Sequence, residues 1–234
     1  MIGFRFGARS AGDEDSARST PPIGSVVNSM LALLAFMMAL TFSSAATRYE
    51  TRKTLLLDDI DAISEVYHRS DLLSPTDRNT MREYLREYVD LRLEVTQNLD
   101  HFQSFLERSE QLQQKMSDIV NSARKSDTNL LLSMRLMDSL DEMVRIHSRR
   151  IVHATQYRIH PTIWFTLLAV AILSLSALGF QFGVSGGRRY QVGLLLAICF
   201  SGILLIIVDI DRPGDGTVRV DQFPLEMLRA SMAE

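Results

Sequence analysis

Residues 162–208 read TIWFTLLAVAILSLSALGFQFGVSGGRRYQVGLLLAICFSGILLIIV, and the only charged side chains in the stretch are Arg188 and Arg189. The two arginines divide it into apolar runs at 162–183 and 191–208, joined by a short loop at 184–190. A bilayer hydrocarbon core about 30 Å thick is crossed by roughly 20 residues of helix. A charged residue at mid-span costs at least about 2.5 kcal/mol, so the absence of charge over this length is the informative feature. Neither run has the polar face that a helix at the surface of a soluble core would show. Trp164 and Tyr190 sit near the run ends, where interfacial aromatics are expected. The stretch is a membrane hairpin.

Upstream, no charge occurs between Arg18 and Arg48, and residues 23–46 are dense in Leu, Met, Ala and Phe. This is a further transmembrane helix, preceded by a polar tail at 1–22. Arg5, Arg9 and Arg18 before an apolar run ending in Ser43-Ser44-Ala45 also resemble a secretory signal, although the run is longer than a usual signal core. Whole-chain averages of 46% hydrophobic and 23% charged residues conceal this block structure. A net charge of −3 gives no field for nucleic acid, so no nucleic-acid partner is expected. One cysteine, Cys199, can form neither an internal disulfide nor a zinc site.

Between residues 47 and 161 the chain turns to mixed charge with helical periodicity. The first span is expected to continue through Tyr49, Leu55, Ile60, Ile63 and Tyr67, and Ser74-Pro75-Thr76-Asp77 starts a new helix. Met81, Leu85, Tyr88, Val95, Leu99, Phe102 and Leu106 then recur at steps of three and four, and Met116, Ile119 and Val120 resume the pattern. This predicts one helix of some 45 residues, about 65 Å long. A turn at 122–128 leads into a return helix with Leu130, Met137, Leu140, Val144, His147 and Ile151 on one face, ending before Pro161. Arg92, Ser109 and Gln113 interrupt the pattern and argue against an ideal coiled coil. The fold class is therefore all-α: an integral membrane protein with three transmembrane helices and a long extramembrane helical hairpin. Such a hairpin buries one stripe per helix, so assembly into a homo-oligomer is a physical expectation. The tail at 209–234 holds a Pro-Gly turn, a short alternating segment at 217–220, and a small amphipathic helix around Leu225, Met227, Leu228 and Met232 for the bilayer or the hairpin.

Few residues offer chemistry. There is no phosphate-binding glycine loop, no H-E-x-x-H and no nucleophile elbow. The five histidines are scattered, and His147 and His153 face different sides of one helix, so no metal, cofactor or catalytic residue is expected and the chain is not read as an enzyme. His147 falls on the apolar stripe and reads as a hydrogen-bonded packing histidine. Arg149-Arg150 is a weak lead to acidic lipid. Gly179 and Gly183, and the ladder Gly193, Ala197 and Ser201, let helix backbones approach, within one chain or between copies.

Span one is the most polar span. Asn28, Ser29, Thr41 and Ser44 flank an apolar middle of Leu33, Phe36, Met37 and Leu40, the pattern of a pore helix with polar mouths and a dewetting constriction. The same hydroxyls could simply bond their own backbone. At the membrane boundary, Arg48, Glu50 and Arg52 follow span one, and Asp209, Asp211 and Arg212 follow span three. These could line a permeation path, or merely turn the chain and neutralise one another. Nine Lys and Arg near the span ends on the side of the hairpin, against five on the other, favour a cytoplasmic hairpin.

Several of these segments together resemble a known family. They are Arg48-Tyr49-Glu50-Thr51-Arg52, Asp61-Ala62-Ile63, Arg69-Ser70-Asp71-Leu72-Leu73, the set Arg82, Leu85, Tyr88 and Arg92, and Asp209-x-Asp-Arg-Pro-x-x-Gly with Val220 and Pro224. From about residue 24 onward the chain is similar to the bestrophin-like family of bacterial membrane proteins. The resemblance implies kinship with bestrophins, which form pentameric anion-conducting channels with a helical cytosolic region. It implies that span one lines the pore, that Phe36, Met37 and Leu40 form an apolar neck, and that small anions are the partners besides lipid. It implies a multi-pass protein of the bacterial inner membrane. The alternative is a membrane-anchored helical scaffold or sensor that does not conduct.

Overall fold

The computed structural model describes residues 23–97, 102–126, 130–155, 159–184, 190–212, 217–218 and 220–233. The expected tail at 1–22 and the centre of the loop at 184–190 lie outside these. The fold is all helical, with α1 (Ile23–Arg69), α2 (Pro75–Gln97), α3 (Phe102–Ser126), α4 (Leu130–Thr155), α5 (Pro161–Val184), α6 (Tyr190–Asp211) and α7 (Phe223–Ser231). No strand occurs among the described residues, and 217–218 form a bend.

Helix boundaries follow from local chemistry. From Ser25 to Arg69 the sequence has neither Pro nor Gly, and α1 runs unbroken for 47 residues. It closes in a 3-10 turn at Ser70–Leu72, after which Leu73 is extended. Ser74 then caps α2: its Oγ accepts the Asp77 N–H at 3.3 Å and donates to Asp77 Oδ2 at 2.8 Å, with Pro75 behind it at the first helical position. Pro161 opens α5, and Pro224 lies in the first turn of α7.

Two compact units emerge, one drawn from the Met1–Arg48 and Arg158–Arg212 portions of the chain, the other from Tyr49–Tyr157 and Pro213–Glu234. The first contains three helical segments long and apolar enough to cross a membrane, in α1, α5 and α6. They pack through Leu34, Met38, Leu167 and Ala171, with Trp164, Phe200 and Leu204 around them. Gly193 of α6 lies against Phe182 of α5, where a Cβ would come within 3.0 Å of the ring, so that member of the small-residue ladder serves packing inside the chain.

The second unit is a helical bundle. The single 45-residue helix expected from the periodicity is instead two helices, α2 and α3, packed antiparallel. Arg108 of α3 pairs with both Glu87 and Glu94 of α2, and Gln113 reaches back to Tyr88. The reason is burial: Met81, Leu85, Tyr88 and Val89 on α2 and Phe105, Leu112, Met116 and Val120 on α3 cover one another, which a straight helix would prevent. Ala62, Ile63 and Val66 of α1 and Leu136, Leu140, Met143 and Ile146 of α4 complete that core. The amphipathic segment near the C-terminus, α7, docks here through Leu225 and Leu228, followed by Met232. The Met232 carbonyl accepts from Arg86 Nε at 2.7 Å and Tyr67 Oη at 3.3 Å, and Arg229 Nε donates to Asp90 Oδ1 at 2.5 Å.

Candidate functional site

On α1 the positions Val27, Leu34, Met38, Thr41 and Ala45 are buried in the first unit. The register leaves Ser29, Leu33, Phe36, Leu40 and Ser44 on the opposite side, at steps of four, three, four and four, all exposed. Phe36 is 60% and Leu40 56% exposed. Asn28 is exposed about a third of a turn round the helix from the centre of this stripe, Met37 is half-buried against the Leu34 cluster, and Thr41 is buried with its hydroxyl donating to the Met37 carbonyl at 2.8 Å. The Ser29 and Thr47 hydroxyls donate to carbonyls one turn back, Ser25 at 2.9 Å and Ser43 at 2.9 Å. The exposed side chains of α5 and α6 are mostly large and apolar, Ile163, Phe165, Leu168, Ile172 and Leu173, and Leu194, Leu195, Ile198, Leu205 and Ile206, with Thr162, Thr166, Ser176 and Ser201 among them.

At the membrane boundary the structure pairs Arg48 with Asp211, and the Arg212 N–H donates to the Asp209 carbonyl at 3.3 Å. Asp211, 7% exposed, accepts the Ile159 N–H with both carboxylate oxygens at 3.3 Å, and Oδ1 also accepts from Arg48 Nη1 at 3.3 Å. A carboxylate in the last turn of a helix opposes the helix dipole, and here a guanidinium and a backbone amide offset that cost. The residue thus ties Arg48, midway along α1, and the end of α6 to the segment that precedes α5. Glu50 and Arg212 are exposed, whereas Arg52 and Asp209 are half-buried.

A third constellation lies in the second unit and was not anticipated as a site. Asp59 of α1, fully buried, accepts from Arg92 Nη2 at 3.1 Å through Oδ1 and from Arg150 Nη1 through Oδ2. Arg150 is thereby committed to an internal carboxylate rather than to lipid. Arg92 Nη2 also donates to Tyr88 Oη at 2.7 Å, as does Gln113 Nε2 at 3.3 Å, and Tyr88 Oη lies 3.0 Å from His147 Nδ1. Two N–H groups already aim at the phenol oxygen, so its single proton goes to His147 Nδ1, which assigns the Nε2–H tautomer to the imidazole. Burial, with Arg92 and Arg150 nearby, pulls the His147 pKa down to about 3, and burial pushes that of Tyr88 up. The guanidinium of Arg92 sits 4.9 Å from the Tyr88 ring centre and 5.9 Å from that of Phe105. In the sequence Arg92 and Gln113 register only as breaks in an apolar stripe; Asp59, flanked by Leu55, Leu56, Ile60 and Ile63, carries the same faint signal.

This layer joins four helices and has no nucleophile open to solvent. The groove between α2 and α3, about 110 Å³ and lined by Leu91, Glu94, Val95, Ser104, Phe105 and Arg108, is smaller than pockets that hold organic ligands. Among the described residues no cluster of His, Cys, Asp and Glu is placed to hold a metal ion.

The model of the bestrophin-like domain family matches residues 2–225. In fold, the chain is similar to crystal structures of a bacterial bestrophin homologue from Klebsiella pneumoniae. One point mutant gives a TM-score of 0.72 at 12% identity, covering 100% of this chain and 96% of that chain. A second mutant gives 0.72 at 13% identity, over 99% and 92% of the two chains. The form solved by Zn-SAD phasing gives 0.70 at 12% identity, over 99% and 92%. No curated protein matches the sequence. With the family match running through both units, and the whole length following one fold, the chain belongs to the bestrophin-like family.

Proposed function

We propose that this chain is the subunit of a homo-oligomeric anion channel, with the exposed stripe of α1 lining the pore. The observation that carries the reading is the order of side chains along one exposed stripe of α1, with Ser29 and Ser44 at either end of Leu33, Phe36 and Leu40. Polar mouths admit a hydrated ion, and an apolar middle gates by dewetting. Asn28 sits at one mouth. Met37 and Thr41, further round the helix, support the lining residues from behind rather than face the lumen. The clamp of Arg48 and Asp211 holds the apolar span of α1 at its charged boundary, where Glu50 and Arg52 follow in α1, and Asp209 and Arg212 flank Asp211 at the end of α6.

The bestrophin-like family supports an anion as the permeant species and five as the number of copies. The basic excess beside the second unit supports a cytoplasmic position for it, with the protein in the bacterial inner membrane. Nothing in the site geometry calls for catalysis. Purified protein in chloride-loaded liposomes is expected to release chloride, and Phe36→Ala, which widens the apolar middle, is expected to raise the flux severalfold. No flux from a well-folded oligomer, or a flux that Phe36→Ala leaves untouched, overturns the reading.

A further inference from the structure

Two donors in the buried layer of the second unit have no hydrogen-bond partner. One is Arg92 Nε, on a residue only 4% exposed; the other is Ser109 Oγ, on a residue 0% exposed. The register of α3 places Ser109 on the side of the layer that Arg92 occupies. Phe105, one turn before Ser109, lies 5.9 Å from the Arg92 guanidinium. Gln113, one turn after, donates to the same Tyr88 hydroxyl that Arg92 reaches. Residues four apart share a helix face, so Ser109 faces the Arg92 side of the layer. Charge points the same way. Arg92 and Arg150 bring two guanidiniums, and among the described residues Asp59 is the one carboxylate bonded to either. The layer therefore carries one positive charge in excess; Arg150 keeps 20% of its side chain open to water, and Arg92, at 5%, holds its share of that charge away from water, where it is costly unless paired.

We propose that a small monovalent anion of halide size binds between Arg92 Nε–H and Ser109 Oγ–H and balances that charge. Two donors, each on a buried residue, suit a single-atom anion. Sulfate or phosphate needs more donors and more room, and would bring more negative charge than the excess. The site lies in the Tyr49–Tyr157 unit, apart from the α1 stripe, and is independent of whether the protein conducts.

The test is thermal unfolding of the detergent-solubilised full chain as sodium chloride replaces sodium gluconate at constant ionic strength, which removes screening as a variable. Above the dissociation constant the melting temperature is expected to rise by about 3 °C per tenfold in chloride. Ser109→Ala is expected to move that dependence to roughly tenfold higher chloride or beyond, and Ser109→Thr, which keeps the donor, to preserve it. Crystals of the unaltered protein grown in bromide are expected to show an anomalous peak between the two donors, a readout that needs no variant. Equal melting in chloride and gluconate, a chloride dependence unmoved by Ser109→Ala, or a water without anomalous signal at that position overturns the proposal.

Discussion

Asp59 shows how much one side chain decides in this fold. It is the carboxylate shared by Arg92 and Arg150, and it is wholly buried. Asp59→Ala leaves two guanidiniums facing each other in the core, and is expected to cost the second unit about 3–5 kcal/mol, the range for breaking a buried ion pair from one side. Denaturant titration of the detergent-solubilised protein measures it. His147, in the same layer, makes stability depend on pH. Its folded pKa of about 3 lies below the ordinary 6.5, so the unfolded chain takes up the proton first. The stabilisation is complete above about pH 6.5 and is lost as pH falls toward 3, by up to about 1.4 kcal/mol per pH unit for one proton. His147→Gln keeps an acceptor for the Tyr88 hydroxyl and removes the titration, so its stability between pH 6.5 and 4 should follow a flatter line than that of the unaltered protein. The expectation that His147 is a packing histidine with a hydrogen bond holds, because a histidine on an apolar stripe must find a partner. Its partner Tyr88 comes from another helix, which periodicity along α4 does not specify.

At the scale of elements, the long apolar stretches were legible because the bilayer demands length and charge exclusion, and both can be read one residue at a time. The second unit was harder. Between α2 and α3 the sequence Asn98-Leu99-Asp100-His101 has neither Pro nor Gly, and the apolar steps Val95, Leu99, Phe102 and Leu106 carry straight across it. What favours two antiparallel helices is the cover each gives the other's stripe, a tertiary effect outside any local window. Arg92, Ser109 and Gln113 were visible as breaks in the stripe, but their common layer emerges only once α3 folds back on α2. Asp211 is the opposite case: its charge at the end of a span is conspicuous in sequence, and its partners come from two distant segments. Asp211→Ala leaves the Ile159 amide buried without an acceptor and Arg48 unpaired. It is expected to destabilise the first unit by about 1–3 kcal/mol. Asp211→Asn, which can still accept from Ile159, should lose less. Glu50→Ala, at an exposed position, should stay within about 0.5 kcal/mol of the parent in the same thermal unfolding series.

For the whole molecule, the question is what covers the α1 stripe. Serines at both ends of an apolar middle are poorly matched to lipid tails, yet Phe36 and Leu40 are poorly matched to bulk water. Both mismatches are relieved when copies of the chain surround a common axis: the serines meet water at the mouths, and the apolar residues narrow the path where water is least needed. Closed cyclic symmetry follows from a repeated heterologous contact that completes its rotation. The proposed function takes five as the number of copies. Native mass spectrometry of the particle in mild detergent should therefore give about five times the 26.5 kDa subunit mass, and single-particle averages should show fivefold symmetry about the α1 helices. A ring of another size would keep the pore and change the stoichiometry. A monomer or dimer would remove the pore, because one or two copies of α1 cannot enclose a path for ions. The stripe would then have to face lipid, and the bundle of the second unit would be left as the part that meets a partner.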